Sequence, residues 1–300
     1  MKLAFKIDVD TYDGTRVGVD NLRRLFSAFG INATFLFSLG EDQMGRSITR
    51  VFQKGFIRKC LKSNVAGNYS ARTMMYGTIL PAPVIGRRCA AQIRAVAAEG
   101  FECGVHSWNH YRWQNKLFKM PPERVEAEFL RACGAFEEIT GRRCECCGCA
   151  GWQVVPAYLE AEDKLGILYA SDARGTSPFA AVMRGRKFGT IQIPTTLYTL
   201  DEITCENKID DAAQIYLKAI KGAERSVMTI HAELEGMAFL DWFKNFLGML
   251  KAEGAEFYNL RDYASSLAQK RAELPVCEIK MSPFPSRGGL IAVQQDISNA

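Results

Sequence analysis

The chain has 300 residues, 48% of them hydrophobic and 24% charged, enough for one large domain with a full core and no need of a second. The opening MKLAFKIDVD sets Lys2, Lys6, Asp8 and Asp10 inside its first apolar run, which excludes the hydrophobic core of a secretory signal, and no stretch reaches the roughly eighteen apolar residues that span a bilayer. Ten cysteines without an export signal read as free thiols of a cytosolic protein, and the net charge of +5 is concentrated between residues 43 and 98, where ten basic residues meet no Asp or Glu.

In chain order, LAFKID, ATFLFS, ECGVH, GILYAS, TIQIP and SVMTIH are strand-like runs. Segments with apolar residues every three or four positions separate them, such as VDNLRRLFSAFG and ERVEAEFLRACGAFEEI. This alternation predicts βα units and a mostly parallel sheet or barrel, with Gly30, Gly100, Gly141, Gly166 and Gly254 as helix C-caps. From about 271 to 300 the pattern fails, and these residues read as a tail of no assigned role. In such a fold chemistry gathers at the carboxyl ends of the strands, where Asp8, Asp10, Ser38, His106, Asp172 and His231 fall.

The three histidines of the chain, His106, His110 and His231, all lie at or just beyond a strand end. His106 and His110 are four apart in GVHSWNHY, so one helical turn would bring both imidazoles to one side for a single borderline metal ion; the alternative is a hydrogen-bonded surface pair. Asp8 and Asp10 alternate on a strand and share a face, where two like charges need solvent or a cation between them. Two histidines with one carboxylate leave open metal positions, the arrangement of a hydrolytic site. A second carboxylate could then take a proton from water, and His231 could deliver one. Trp108, Trp113 and Trp152 lie in or beside these segments, where an indole face suits a sugar ring or simply packs the core.

KIDVDTYDGT, HSWNH and MTIHAELEG resemble the first, second and last motifs of the NodB-homology polysaccharide deacetylases. The variant form is that of the bacterial branch that deformylates 4-deoxy-4-formamido-L-arabinose on undecaprenyl phosphate. NATFLFSLGEDQMGR, AGW, SDARG and QIPTTL extend the match over most of residues 1 to 265. The resemblance implies an α/β fold, the distorted (β/α) barrel of that family. It implies one domain over about 1–270, with a basic membrane-proximal insertion at about 43–98. It further implies Asp8 as general base, Asp10, His106 and His110 as ligands of one divalent metal ion, and His231 as general acid. Zinc suits this ligand set, with manganese, cobalt or nickel as alternatives. Asp172, Arg174, Trp152, Trp108 and Glu233 are expected around this centre. The family's base-orienting arginine has no counterpart in CECCGCAGWQ, so Arg174 is the expected substitute, and Asp172 is expected to steady His231.

Within the acid-free stretch, Ile48, Val51, Phe52, Phe56, Ile57 and Leu61 fall on one side of SITRVFQKGFIRKCLKSN with cations around them. This predicts an interfacial helix that holds the protein at an anionic surface, the cytoplasmic face of the bacterial inner membrane; a solvated covering helix is the alternative. The expected partner is a lipid-linked amino sugar, with no nucleic acid and no obligatory protein partner. The expected activity, deformylation in lipid A aminoarabinose modification and polymyxin resistance, competes with N-deacetylation of another saccharide or glycolipid and with a non-enzymatic lipid- or sugar-binding barrel. Cys144, Cys146, Cys147 and Cys149 crowd into six residues, unlike the two separated pairs of a zinc or iron–sulfur site, and read as thiols.

Overall fold

A computed structural model describes residues 1–47 and 72–297. Strand β1 (Lys2–Val9) runs through a π-helical turn at Gly14–Gly18 into helix α1 (Val19–Phe29), β2 (Thr34–Ser38), the short α2 (Ile85–Arg88), α3 (Ala90–Ala98) and β3 (Glu102–Ser107). Next come α4 (His110–Lys116), α5 (Pro122–Thr140), β4 (Cys146–Cys147), α6 (Pro156–Leu165), β5 (Tyr169–Ala170), β6 (Phe179–Met183) and β7 (Arg186–Gln192). The chain continues with α7 (Leu200–Thr204), α8 (Ile209–Lys221), β8 (Arg225–His231), α9 (Leu240–Ala252), β9 (Glu256–Phe257), α10 (Leu260–Gln269), β10 (Val276–Pro283) and β11 (Leu290–Asp296).

The strands β8, β1, β2, β3, β4, β5 and β7 lie side by side, each parallel to the next. Residues just past β7 then reach β8: Thr196 and Leu197 donate their N–H groups to the Val227 carbonyl at 3.1 and 3.3 Å, and the Thr195 and Thr229 hydroxyls bond at 2.7 Å. These bonds complete the ring without a regular ladder, which distorts the barrel. Every residue of β1 except Lys2 is buried, as expected of a central parallel strand covered on both faces. On its outer side Phe5 packs against Phe26 at 5.4 Å and Phe243 at 5.6 Å between ring centres, and burial of each such side chain contributes about 1.5–3 kcal/mol.

The cysteine-rich segment supplies β4, and the GILYAS run yields only the two residues of β5. Residues 276–296 are not a tail: β10 and β11 form an antiparallel hairpin, and β10 also pairs in parallel with β6. The period-two signal was present, since Cys277 and Ile279 are buried between more exposed neighbours, but its partner strand stands about a hundred residues earlier. The apolar face proposed for Ile48 to Leu61 lies outside the described residues. Among those described, no helix is long and apolar enough to cross a membrane.

Gly18 joins the two ends of the chemistry, because a Cβ there would lie 2.0 Å from the Ala232 carbonyl oxygen, a backbone atom that no rotamer change can move. Gly18→Ala is therefore expected to cost about 1–3 kcal/mol and to lower the thermal midpoint, measured by calorimetry. Gly248→Ala is the opposite control: it lies mid-helix in α9 with open space at its Cβ, and it should gain about 0.5–1 kcal/mol.

Candidate active site

The parallel register sets Asp8 of β1 level with His231 of β8. Aligned residues of neighbouring strands point to the same face, so these two side chains approach one another at the carboxyl end of the barrel. His106 near the end of β3 and His110 at the start of α4 enter from the other side of β1, with β2 between. The four-residue spacing is not one helical turn, as the sequence suggested. Asn109 between them has extended backbone and caps α4, its Oδ1 accepting the Arg112 N–H at 2.8 Å, so a strand end and a helix start present the two rings, 5.5 Å apart.

Asp10 sits between the imidazoles, with Oδ1 3.3 Å from His106 Nε2 and Oδ2 3.4 Å from His110 Nε2. One ligand atom from each of Asp10, His106 and His110 lies within 4.8 Å of the others, a group that could hold a metal ion. The donors fit such an ion. His106 Nδ1 is 2.6 Å from the Gly148 carbonyl, which must accept its proton and leaves the Nε2 lone pair facing Asp10. Asp10 Oδ1 is buried with no hydrogen-bond donor. Burial, with His106 and His231 and against the carboxylates of Asp10 and Asp8, pushes His110 down to about 4, so it stands neutral, while the imidazoles around Asp10 outweigh burial and hold its carboxyl well below the usual range. Burial opposes charge on His106 too, but Asp8 and Asp10 outweigh it and raise its pKa.

Asp10 is fixed from behind by Glu233, whose Oε1 accepts from the N–H groups of Asp10 and Thr11 and from the Thr11 hydroxyl at 2.8–3.0 Å. Burial and the nearby Asp10 push Glu233 up to about 8. His231 donates its backbone N–H to Glu235 at 2.9 Å. Burial works against a charged His231, yet the carboxylates of Asp201, Asp10, Asp8 and Glu235 raise its pKa.

Two expected neighbours stand elsewhere. Arg174 does not touch Asp8; its Nη1 donates to both Glu202 carboxylate oxygens at 3.0 and 3.1 Å and its Nη2 to the Leu197 carbonyl at 2.7 Å. The cation beside Asp8 is Lys6, fully buried, with Nζ 3.4 Å from Asp8 Oδ1, 3.3 Å from the Ser171 carbonyl and 5.3 Å from the Trp152 ring centre. The strand alternation that pairs Asp8 with Asp10 also puts Lys6 on their face, a signal legible in KIDVD. Asp172 is likewise not at His231: its Oδ1 accepts the Cys149 N–H at 2.7 Å and its Oδ2 accepts from Gln192 at 3.0 Å. It thereby holds the loop whose Gly148 carbonyl orients His106. Of the carboxylates that raise the His231 pKa, Asp201 acts most strongly, and no motif in TLDEIT announces it.

Trp152 is buried in a left-handed backbone conformation, φ 52°, with its indole N–H unpartnered. Trp108 is buried under Arg131, whose guanidinium lies 3.8 Å from the ring centre, and Trp113 is core, donating to the Gln153 carbonyl at 3.0 Å and packing edge-on against Tyr158. Cys89, Cys103, Cys133, Cys144, Cys146, Cys147, Cys149 and Cys277 are free thiols. Cys147, Glu162 and Asp172 also bring ligand atoms within 4.8 Å of one another. There Cys147 donates to Glu162 at 3.5 Å, and burial with Asp172 nearby raises the Glu162 pKa well above the usual carboxylate range.

The model of the polysaccharide deacetylase family matches residues 11–169. The chain belongs to the polysaccharide deacetylase family. The probable 4-deoxy-4-formamido-L-arabinose-phosphoundecaprenol deformylase of Shewanella sediminis is 34% identical, over 99% of this chain and 96% of that protein. The protein of the same description from Wigglesworthia glossinidia brevipalpis is 32% identical, over 95% and 99%. Among solved structures, a probable polysaccharide deacetylase from Pseudomonas aeruginosa PAO1 superposes with a TM-score of 0.62 over 90% of this chain and 91% of that one at 16% identity, a likeness of fold. The distorted α/β barrel is therefore the architecture of the polysaccharide deacetylase family, as the motifs implied.

The Arg174–Glu202 pair is sealed, with side chains 4% and 0% exposed. In this deacetylase fold Arg174→Ala is expected to destabilise the protein by about 1–3 kcal/mol, because Glu202 loses one buried partner and keeps the other, Arg287. Urea unfolding measures it, and a loss under about 1 kcal/mol would contradict the assignment.

Proposed function

We propose that this deacetylase-family chain is an amide hydrolase that removes the formyl group from 4-deoxy-4-formamido-L-arabinose carried on undecaprenyl phosphate. The observation that carries the reading is the placement of Asp8 level with His231 beside the Asp10, His106 and His110 group. Relatives of that description align over nearly their whole length and point to the same substrate. A divalent cation held by Asp10, His106 and His110, zinc by the donor set, would supply a polarised acyl oxygen and a more acidic water. Asp8, oriented by Lys6, takes the proton of the water that attacks the formyl carbon. His231 gives its proton to the sugar nitrogen as the C–N bond breaks, so the products are the free amine and formate. Glu233 and the Gly148 carbonyl keep Asp10 and His106 aligned throughout.

The basic stretch at 43–98 is the surface that would rest on an anionic leaflet, placing the enzyme at the cytoplasmic face of the inner membrane, where amine exposure on this sugar serves lipid A modification and polymyxin resistance. The test is formate and amine release from a formamido-arabinose phosphopolyprenol by metal-loaded protein. No formate would overturn the substrate, and release of acetate from N-acetylated saccharides would favour the N-deacetylase reading. Release of neither formate nor acetate from either substrate would be the behaviour of a binding barrel.

A further inference from the structure

The hairpin turn between β10 and β11 carries Arg287 back to the mouth of the barrel. Its Nε donates to Glu202 Oε1 at 2.6 Å and its Nη2 to the Thr199 hydroxyl at 3.0 Å, with Asp201 Oδ2 3.5 Å away. The guanidinium lies 4.7 Å from the ring centre of Trp152. These contacts fix its plane, while Nη1 takes part in none of them. Arg174, on the same indole at 5.1 Å, is sealed, but 17% of the Arg287 side chain remains exposed. The Asp10 carboxylate of the metal-binding group is among the charges that raise the Arg287 pKa against burial. The turn is built at some cost, with Ser286 at φ 62°, and it is pinned by Gln153 donating to the Leu290 carbonyl at 2.6 Å.

Around this cation the rim is apolar. Tyr198 is 45% exposed and packs on Phe284 with ring centres 5.5 Å apart, and Leu290, across the hairpin from Pro283, is 46% exposed. A rigid, partly open guanidinium beside exposed aromatic and aliphatic side chains matches the phosphate ester of an apolar alcohol. A neutral polysaccharide would call for neither feature. We infer that Arg287 is a phosphate-binding residue for the lipid-linked substrate, with Tyr198 and Phe284 receiving the first carbons of the lipid chain. The inference rests on the deformylase reading and locates the phosphate of that same substrate on the C-terminal hairpin.

Farnesyl phosphate and inorganic phosphate are the probes, titrated against full-length zinc-loaded protein and followed by tryptophan fluorescence. Arg287→Ala should weaken farnesyl phosphate about 10- to 100-fold, Arg287→Lys should restore part of that, and Tyr198→Ala should weaken farnesyl phosphate but not inorganic phosphate. In kinetics, the ratio of kcat/KM for the lipid-linked sugar to that for a phosphate-free formamido-arabinose glycoside should fall by the same factor in Arg287→Ala, through KM. Unchanged farnesyl phosphate binding by folded Arg287→Ala, or equal losses on both sugars, would overturn the subsite. Should Arg287→Ala fail to fold, Tyr198→Ala binding both probes like the wild type would do so. Arg287-dependent binding without any formate release would leave the subsite standing and remove the deformylase reading; formate release without such binding would do the reverse.

Discussion

Asp8→Asn should abolish formate release, lowering kcat by about 100- to 10,000-fold while leaving metal content close to that of the wild type. The amide keeps the shape of the carboxylate but cannot accept a proton from water. Asp8 is no ligand in the geometry described: the ligand atoms belong to Asp10, His106 and His110, and Asp8 faces Lys6 at 3.4 Å on one side and the His231 register position on the other. The substitution also leaves the buried Lys6 ammonium without a counter-charge, so a modest loss of stability accompanies it. Lys6→Met separates the two effects, since it removes the cation and keeps the base. Rate measurements on the metal-loaded variants, with metal analysis, decide the matter. An Asp8→Asn protein with more than about a tenth of the wild-type kcat would show that another group takes the proton.

Removal of the metal should have an effect at least as large. Dialysis against a chelator should stop formate release and added zinc should restore it, whereas His106→Ala should neither bind zinc tightly nor recover. Stability provides a readout independent of activity. An ion present at about a thousand times its Kd adds about 4 kcal/mol to the folded state, so zinc should raise the thermal midpoint of the wild type and not that of His106→Ala. The pH dependence has a definite sign. Burial opposes charge on His106, but Asp8 and Asp10 outweigh it and raise its pKa in the ion-free protein, so protons compete more strongly with a cation for this ring as the pH falls. The zinc-induced rise should therefore be smaller near about pH 6 than near about pH 8. An equal rise at both would place the ion on other groups.

The sequence by itself determined the strand alternation of β1, the convergence of Asp8, Asp10 and all three histidines at strand ends, and the family. Each of these rests on local spacing: side chains two apart on a strand share a face, and motifs a few residues long carry their own geometry. The tertiary structure alone decided which charges meet. Lys6 rather than Arg174 stands beside Asp8, because Arg174, 166 positions further on in the chain, is drawn to the buried Glu202. Asp172 holds the His106 loop rather than His231, and Asp201 is the carboxylate that most raises the His231 pKa. The hairpin of β10 and β11 brings Arg287 to the site from beyond the last recognisable motif. Buried charges must find partners wherever the packed barrel sets them, and that pairing depends on closure of the whole chain, which no spacing along it records.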